Sequence, residues 1–103
     1  MVEHTFTQLT APGVTSAVKV DAVNSHVFQI KLANKDTSVD VNLEGSLDGT
    51  NFFKIKAADV QYTTDGMYYL TETDLQVKYV RFSFVSEIGG TAATLDVVYL
   101  GSA

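Results

Sequence analysis

Two histidines, several carboxylates and a handful of serines are the residues here whose chemistry could amount to more than solubility. His4 and His26 are 22 positions apart, a spacing that matches no metal-binding pattern, so each reads as a strand-end or surface residue. Ser46 lies in Glu44-Gly45-Ser46-Leu47-Asp48-Gly49, which lacks the second glycine of a G-x-S-x-G nucleophile turn. It reads as the end of a strand entering a turn. Asp40 and Glu44 share one face of a candidate strand, about 13 Å apart at ~3.3 Å per residue. Glycosidase carboxylates stand closer than that, whether the enzyme retains or inverts. Asp36, Asp40, Asp48 and Asn51 offer oxygen ligands for calcium, but not in the regular D-x-[DN]-x-[DN]-G order. No glycine-rich phosphate loop is present either. The expectation is a protein that is not an enzyme, with no cofactor and no metal.

Composition narrows the remaining classes. Twelve acidic residues oppose seven basic ones, giving a net charge of −5. A nucleic-acid partner would require a basic stripe to displace phosphate counterions, and the basic residues here are scattered. Cysteine is absent, which removes disulfides, thiolate metal sites and cysteine nucleophiles. The longest apolar run is far too short to span a bilayer, so no membrane role is expected. Met1 is followed by Val-Glu-His and not by a charged segment and an apolar stretch, so the expected place of synthesis is a cytoplasm. The 103 residues suit one domain, and 46% hydrophobic residues are enough for a thin two-layer core.

Positioning would fall to strands. No long stretch carries an apolar period of 3.6, whereas short alternating runs rich in Val, Thr, Phe and Tyr recur between turn residues. Eight strands are expected: Thr5–Leu9, Ala17–Asp21, His26–Leu32, Val39–Ser46, Phe52–Lys56, Met67–Thr71, Val77–Val85 and Thr94–Leu100. Pro12-Gly13, Asn24-Ser25, Asn34-Lys35-Asp36, Asp48-Gly49, Asp65-Gly66 and Gly89-Gly90 separate them, with a hairpin expected at Asp48-Gly49. The pattern predicts an all-β, two-sheet antiparallel sandwich of jelly-roll type.

Alternation assigns faces. Val39, Val41 and Leu43 oppose Asp40, Asn42 and Glu44, and Phe28, Ile30 and Leu32 oppose Gln29 and Lys31. Of the adjacent Phe52 and Phe53, one ring is expected in the core and the other outside. Three segments carry apolar groups on both faces: Met67–Leu70, Val77–Val85 and Val97–Leu100. One sandwich core satisfies only one face of each strand, so the other should meet a neighbour. The interface candidates are Tyr68, Tyr69, Tyr79, Val98 and Leu100, together with Phe6 and Leu9 from residues 1–11, a segment that could serve as an arm.

Leu-Glu-Gly-Ser-Leu-Asp-Gly-Thr-Asn-Phe-Phe-Lys-Ile (Leu43–Ile55), then Lys78–Val85 and Leu95–Gly101, carry two resemblances. The turn of Ser46, Asp48, Gly49 and Phe52 followed by Tyr79-Val80-Arg81 resembles discoidin-like jelly rolls, which bind carbohydrate or lipid. Tryptophan is absent where that turn often carries one. Size, acidity, lack of cysteine and the Gly-Thr-Ala-rich stretch Ile88–Thr94 resemble small all-β structural proteins of tailed bacteriophages, the capsid decoration or cement proteins. That second resemblance implies a virion protein assembled in the host cytoplasm, homo-oligomeric (a trimer being one form) and bound to the major capsid protein. The first implies a carbohydrate-binding module as the alternative.

Overall fold

The computed structural model describes residues 1–103 and contains strands, turns and no helix. Its ten strands are β1 Val2–Thr5, β2 Gly13–Val14, β3 Val18–Lys19, β4 Ser25–Ala33, β5 Ser38–Ser46, β6 Phe53–Lys54, β7 Val60–Tyr62, β8 Gly66–Glu72, β9 Tyr79–Ile88 and β10 Thr94–Ser102. All pairings are antiparallel.

One sheet has the order β1-β10-β4-β8. In the other, β2 and β3 lie end to end along one edge of β9, which pairs with β5, and β6 and β7 lie end to end along the far edge of β5. Merging each split pair leaves two four-position sheets between which the chain alternates, with one hairpin kept inside a sheet. That is jelly-roll connectivity, reached with eight positions and ten strands. The two short strands Gly13–Val14 and Val60–Tyr62 escape a sequence reading because two or three residues are too few to show alternation.

The core lies between the sheets and contains 18 buried residues, among them Phe28, Ile30 and Leu32 from β4 and Val39, Val41 and Leu43 from β5. Val80, Phe82 and Phe84 of β9 face Leu95, Val97 and Tyr99 of β10 across it. Phe28 is central, with ring centroids 4.9 Å from Tyr99 and 6.4 Å from both Phe6 and Phe82. Fully burying side chains of this size contributes about 1.5–3 kcal/mol each, before chain entropy is set against it.

Three local readings are corrected. The N-terminal segment is part of the first sheet: Val2–Thr5 pairs with β10, the Phe6 amide donates to the Val97 carbonyl at 3.0 Å, and Leu9 bridges Leu95. Strand β9 continues past Val85 to Ile88. There Asp40 opposes Ser86 while Val41 opposes Phe84, so Val85 bulges out, which breaks the alternation and hides the continuation. The outer face of β5 is covered. Asn42 is fully buried because its side chain donates to the Lys56 carbonyl at 3.1 Å and to Asp59 at 2.9 Å, drawing the β6–β7 connection over the sheet.

Candidate interaction surface

The reactive side chains are dispersed and mostly engaged in holding the fold. His26 lies at the start of β4 and is buried, with Nδ1 2.6 Å from the Tyr99 hydroxyl and Nε2 2.9 Å from the Leu75 carbonyl, so it is a strand-end residue but not a surface one. His4 packs edge-on against Phe6 at 4.7 Å. Glu44 accepts from Arg81 Nε at 2.6 Å, and the Arg81 guanidinium lies 3.8 Å over the Phe52 ring. Phe52 is therefore a half-buried lid under a cation on the outside of the sheet, and Phe53 is exposed as well, so neither ring enters the core. Asp40 accepts from Ser86. Asp48 organises its own turn, accepting from the amides of Asn51 and Thr50, the Asn51 side chain and the Ser46 hydroxyl. Those donors hold its carboxyl well below the usual carboxylate range. Asp59 is likewise lowered, by Asn42 first and then Lys54. No three histidine or acidic side chains converge as metal ligands.

The interface candidates separate into three groups. Phe6 is a core residue, 5% exposed. Leu9 and Tyr68 are half-buried and turned inward, Tyr68 stacked on Tyr62 at 3.9 Å. Tyr79 belongs to the opposite sheet, where the turn at Gly49 covers its ring. Only Tyr69, Val98 and Leu100 are exposed together.

These three share the outer face of the four-stranded sheet, and the strand register shows what surrounds them. One cross-strand row reads Glu3, Leu100, Val27, Thr71; the next reads Thr5, Val98, Gln29, Tyr69; the third reads Asp96, Lys31, Met67. Tyr69 is 73% exposed and Met67 61%, while Val27, Val98 and Leu100 are each exposed by 37–39%. A sheet face usually faces water with polar residues, so five large apolar side chains on one face form a continuous patch. Sequence reasoning missed Val27 because its same-face neighbours along the strand, Ser25 and Gln29, are both polar. Only pairing to Leu100 reveals it as part of the patch.

A concavity lies at one end of the sandwich. The β3–β4, β5–β6 and β8–β9 loops and the C-terminus enclose a groove of about 560 Å3, with Asp21, Asn24, Gln76 and Lys78 around Leu47 and Val77.

No family model matches the chain, and no curated protein matches it in sequence. Among solved structures, the SPBc2 prophage-derived protein YomS is similar in fold, with a TM-score of 0.63 and 14% identity over 98% of this chain and 92% of that one. At that identity the likeness establishes a shared all-β fold over nearly the whole length of both chains.

Proposed function

We propose that this chain is a non-enzymatic structural protein of a phage particle, a decoration protein that self-associates and binds the outside of the head. The observation that carries this reading is the apolar patch of Tyr69, Met67, Val27, Val98 and Leu100 on an otherwise well-formed sheet. Leaving such a patch in water is costly, and covering it with protein recovers roughly 25 cal/mol per Å2. The fold shared with a prophage-derived protein supports a phage origin. In this role a copy adds contact area between neighbouring capsid subunits, with the major capsid protein as partner and the virion as location. The test is incubation of the purified protein with undecorated heads, followed by cryo-EM. Ordered density at symmetry-related sites is expected; heads that stay bare at saturating protein overturn the reading.

The groove at the loop end favours a second reading, a carbohydrate-binding module. The side chains of Asn24, Gln76 and Lys78 make no hydrogen bond within the chain and border the apolar Leu47 and Val77, a mixture suited to sugar hydroxyls and ring faces. A reproducible glycan-array signal, lost in Gln76→Ala, would shift the assignment to this function.

A further inference from the structure

We propose that the outer face of the four-stranded sheet pairs with the same face of a second copy, about a two-fold axis parallel to the strands between β10 and β4. This rests on the reading of that face as an association surface, and adds the partner and its register.

The edges of the sheet argue for stacking by the face. Along β8, Lys56 reaches across from the other sheet, donating to the Thr71 carbonyl at 2.6 Å and pairing with Glu72 at 3.0 Å. A lysine capping an edge carbonyl discourages a further strand from adding there. The opposite edge, β1, is four residues long and offers little to pair with. The exposed apolar groups point from the face, perpendicular to either edge.

The register then selects the axis. Rotation about a line parallel to the strands keeps each row at its own height and exchanges β10 with β4, and β1 with β8. Leu100 of one copy then meets Val27 of the other, and Val98 meets Gln29. Tyr69, on β8, covers Thr5 and the flank of Val98. Asp96 meets Lys31, and the two-fold repeats that pair. Both charges are available. Lys31 takes part in none of the ion pairs of the chain, which are Lys19–Asp21, Lys54–Asp59, Lys56–Glu72 and Arg81–Glu44. Asp96 is engaged only by the neutral amide of Gln8, at 3.1 and 3.3 Å. A two-fold running across the strands through the Val98 row would instead set Leu100 against Asp96 and Val27 against Lys31, burying both charges against apolar side chains and leaving neither with an opposite partner.

The area is sufficient. Strands β4 and β10 have nine residues each. At ~3.3 Å per residue, and with four strands ~4.8 Å apart, the face measures about 30 Å by 19 Å, so stacking removes on the order of 1,000 Å2 in total. Stacked twisted sheets align within about 30°, which preserves the contacts near the axis.

Light scattering on a sizing column, with charge-reversed variants, tests this. Wild type is expected to double its mass at about 100 µM protein. Lys31→Asp places acids at both positions of the pair and Asp96→Lys places lysines at both, so each variant alone should dimerise at least tenfold more weakly. An equimolar mixture of the two restores both pairs between unlike copies and should recover the dimer. A purely intramolecular role for Lys31 and Asp96, which are cross-strand neighbours, would leave the mixture no better than its components. Tyr69→Lys, at an exposed site, should stay folded and lose the dimer. Wild type that stays monomeric at about 1 mM, or a mixture that fails to dimerise, overturns the two-fold. Decoration of heads by a monomer would overturn it too while leaving the structural role standing. A two-fold dimer that leaves heads bare would uphold the pairing and remove the decoration reading.

Discussion

The Nδ1 atom of His26 lies 2.6 Å from the hydroxyl of Tyr99, with both side chains removed from solvent. The second ring nitrogen faces the Leu75 carbonyl at 2.9 Å. A carbonyl only accepts, so Nε2 carries the proton and Nδ1 accepts from the tyrosine. The arrangement ties β4 to β10 and fastens the β8–β9 loop to the end of the sandwich.

Removing the Tyr99 hydroxyl strands a buried ring nitrogen. Tyr99→Phe should therefore cost about 1–3 kcal/mol in urea unfolding. Tyr62 supplies the contrast, because its buried hydroxyl has no hydrogen-bond partner. Tyr62→Phe should change stability by less than about 0.5 kcal/mol or raise it. Equal losses in the two variants would contradict the assigned roles.

The same two tyrosines predict sensitivity to base. Burial pushes Tyr99 from 10.0 up to about 12, and burial followed by the neighbouring Tyr68 does the same to Tyr62. Raised folded-state values mean that stability is intact below pH 10 and is lost as pH rises towards 12, because the unfolded chain releases these protons first. Each tyrosine should remove ~1.4 kcal/mol per pH unit across that window. Urea midpoints at pH 9, 10, 11 and 12 measure the slope, and Tyr62→Phe should roughly halve it.

The turn after β5 should be intolerant of change. Gly49 has φ +78°, and an added Cβ would stand 3.1 Å from the Tyr79 ring. Gly49→Ala should cost about 1–2 kcal/mol from the left-handed backbone alone. At Asp48, amide donors hold the carboxyl low, so its contribution is present above pH 3.8 and disappears as pH falls through the lower folded-state value. Asp48→Asn should melt below wild type at pH 6, and the gap should narrow on acidification below 3.8. A gap independent of pH would exclude the charge as the cause.

Two residues grouped together by the sequence should behave oppositely. Phe6 is 5% exposed and stacks on Phe28, so Phe6→Ala should cost about 3–5 kcal/mol. Tyr69 is 73% exposed, so Tyr69→Glu should change monomer stability by less than about 0.5 kcal/mol. Denaturation at low protein concentration, where any self-association is absent, makes the comparison.

What the sequence determined by itself is what depends on period. Alternation over five or more residues identified β4 and β5 and their inward sets, Phe28, Ile30 and Leu32 and Val39, Val41 and Leu43, and runs of β-formers between turns marked β9 and β10, and hence a two-sheet sandwich. The Asp48-Gly49 turn was legible because Asp-Gly favours a tight turn locally, and Gly49 takes the left-handed φ of +78° that such a turn uses.

What only tertiary structure decided is which outward faces are covered. Asn42 reads as solvent-facing until Lys56 and Asp59, far along the chain, fold over it. Tyr68 and Tyr69 are adjacent and chemically alike, yet one stacks on Tyr62 and the other is left in water. The pairing of Val27 with Leu100, and of Lys31 with Asp96, joins residues more than sixty positions apart. Period constrains how side chains alternate along one strand, whereas cover and cross-strand neighbours are set by where remote segments pack, and no local window of sequence carries that information.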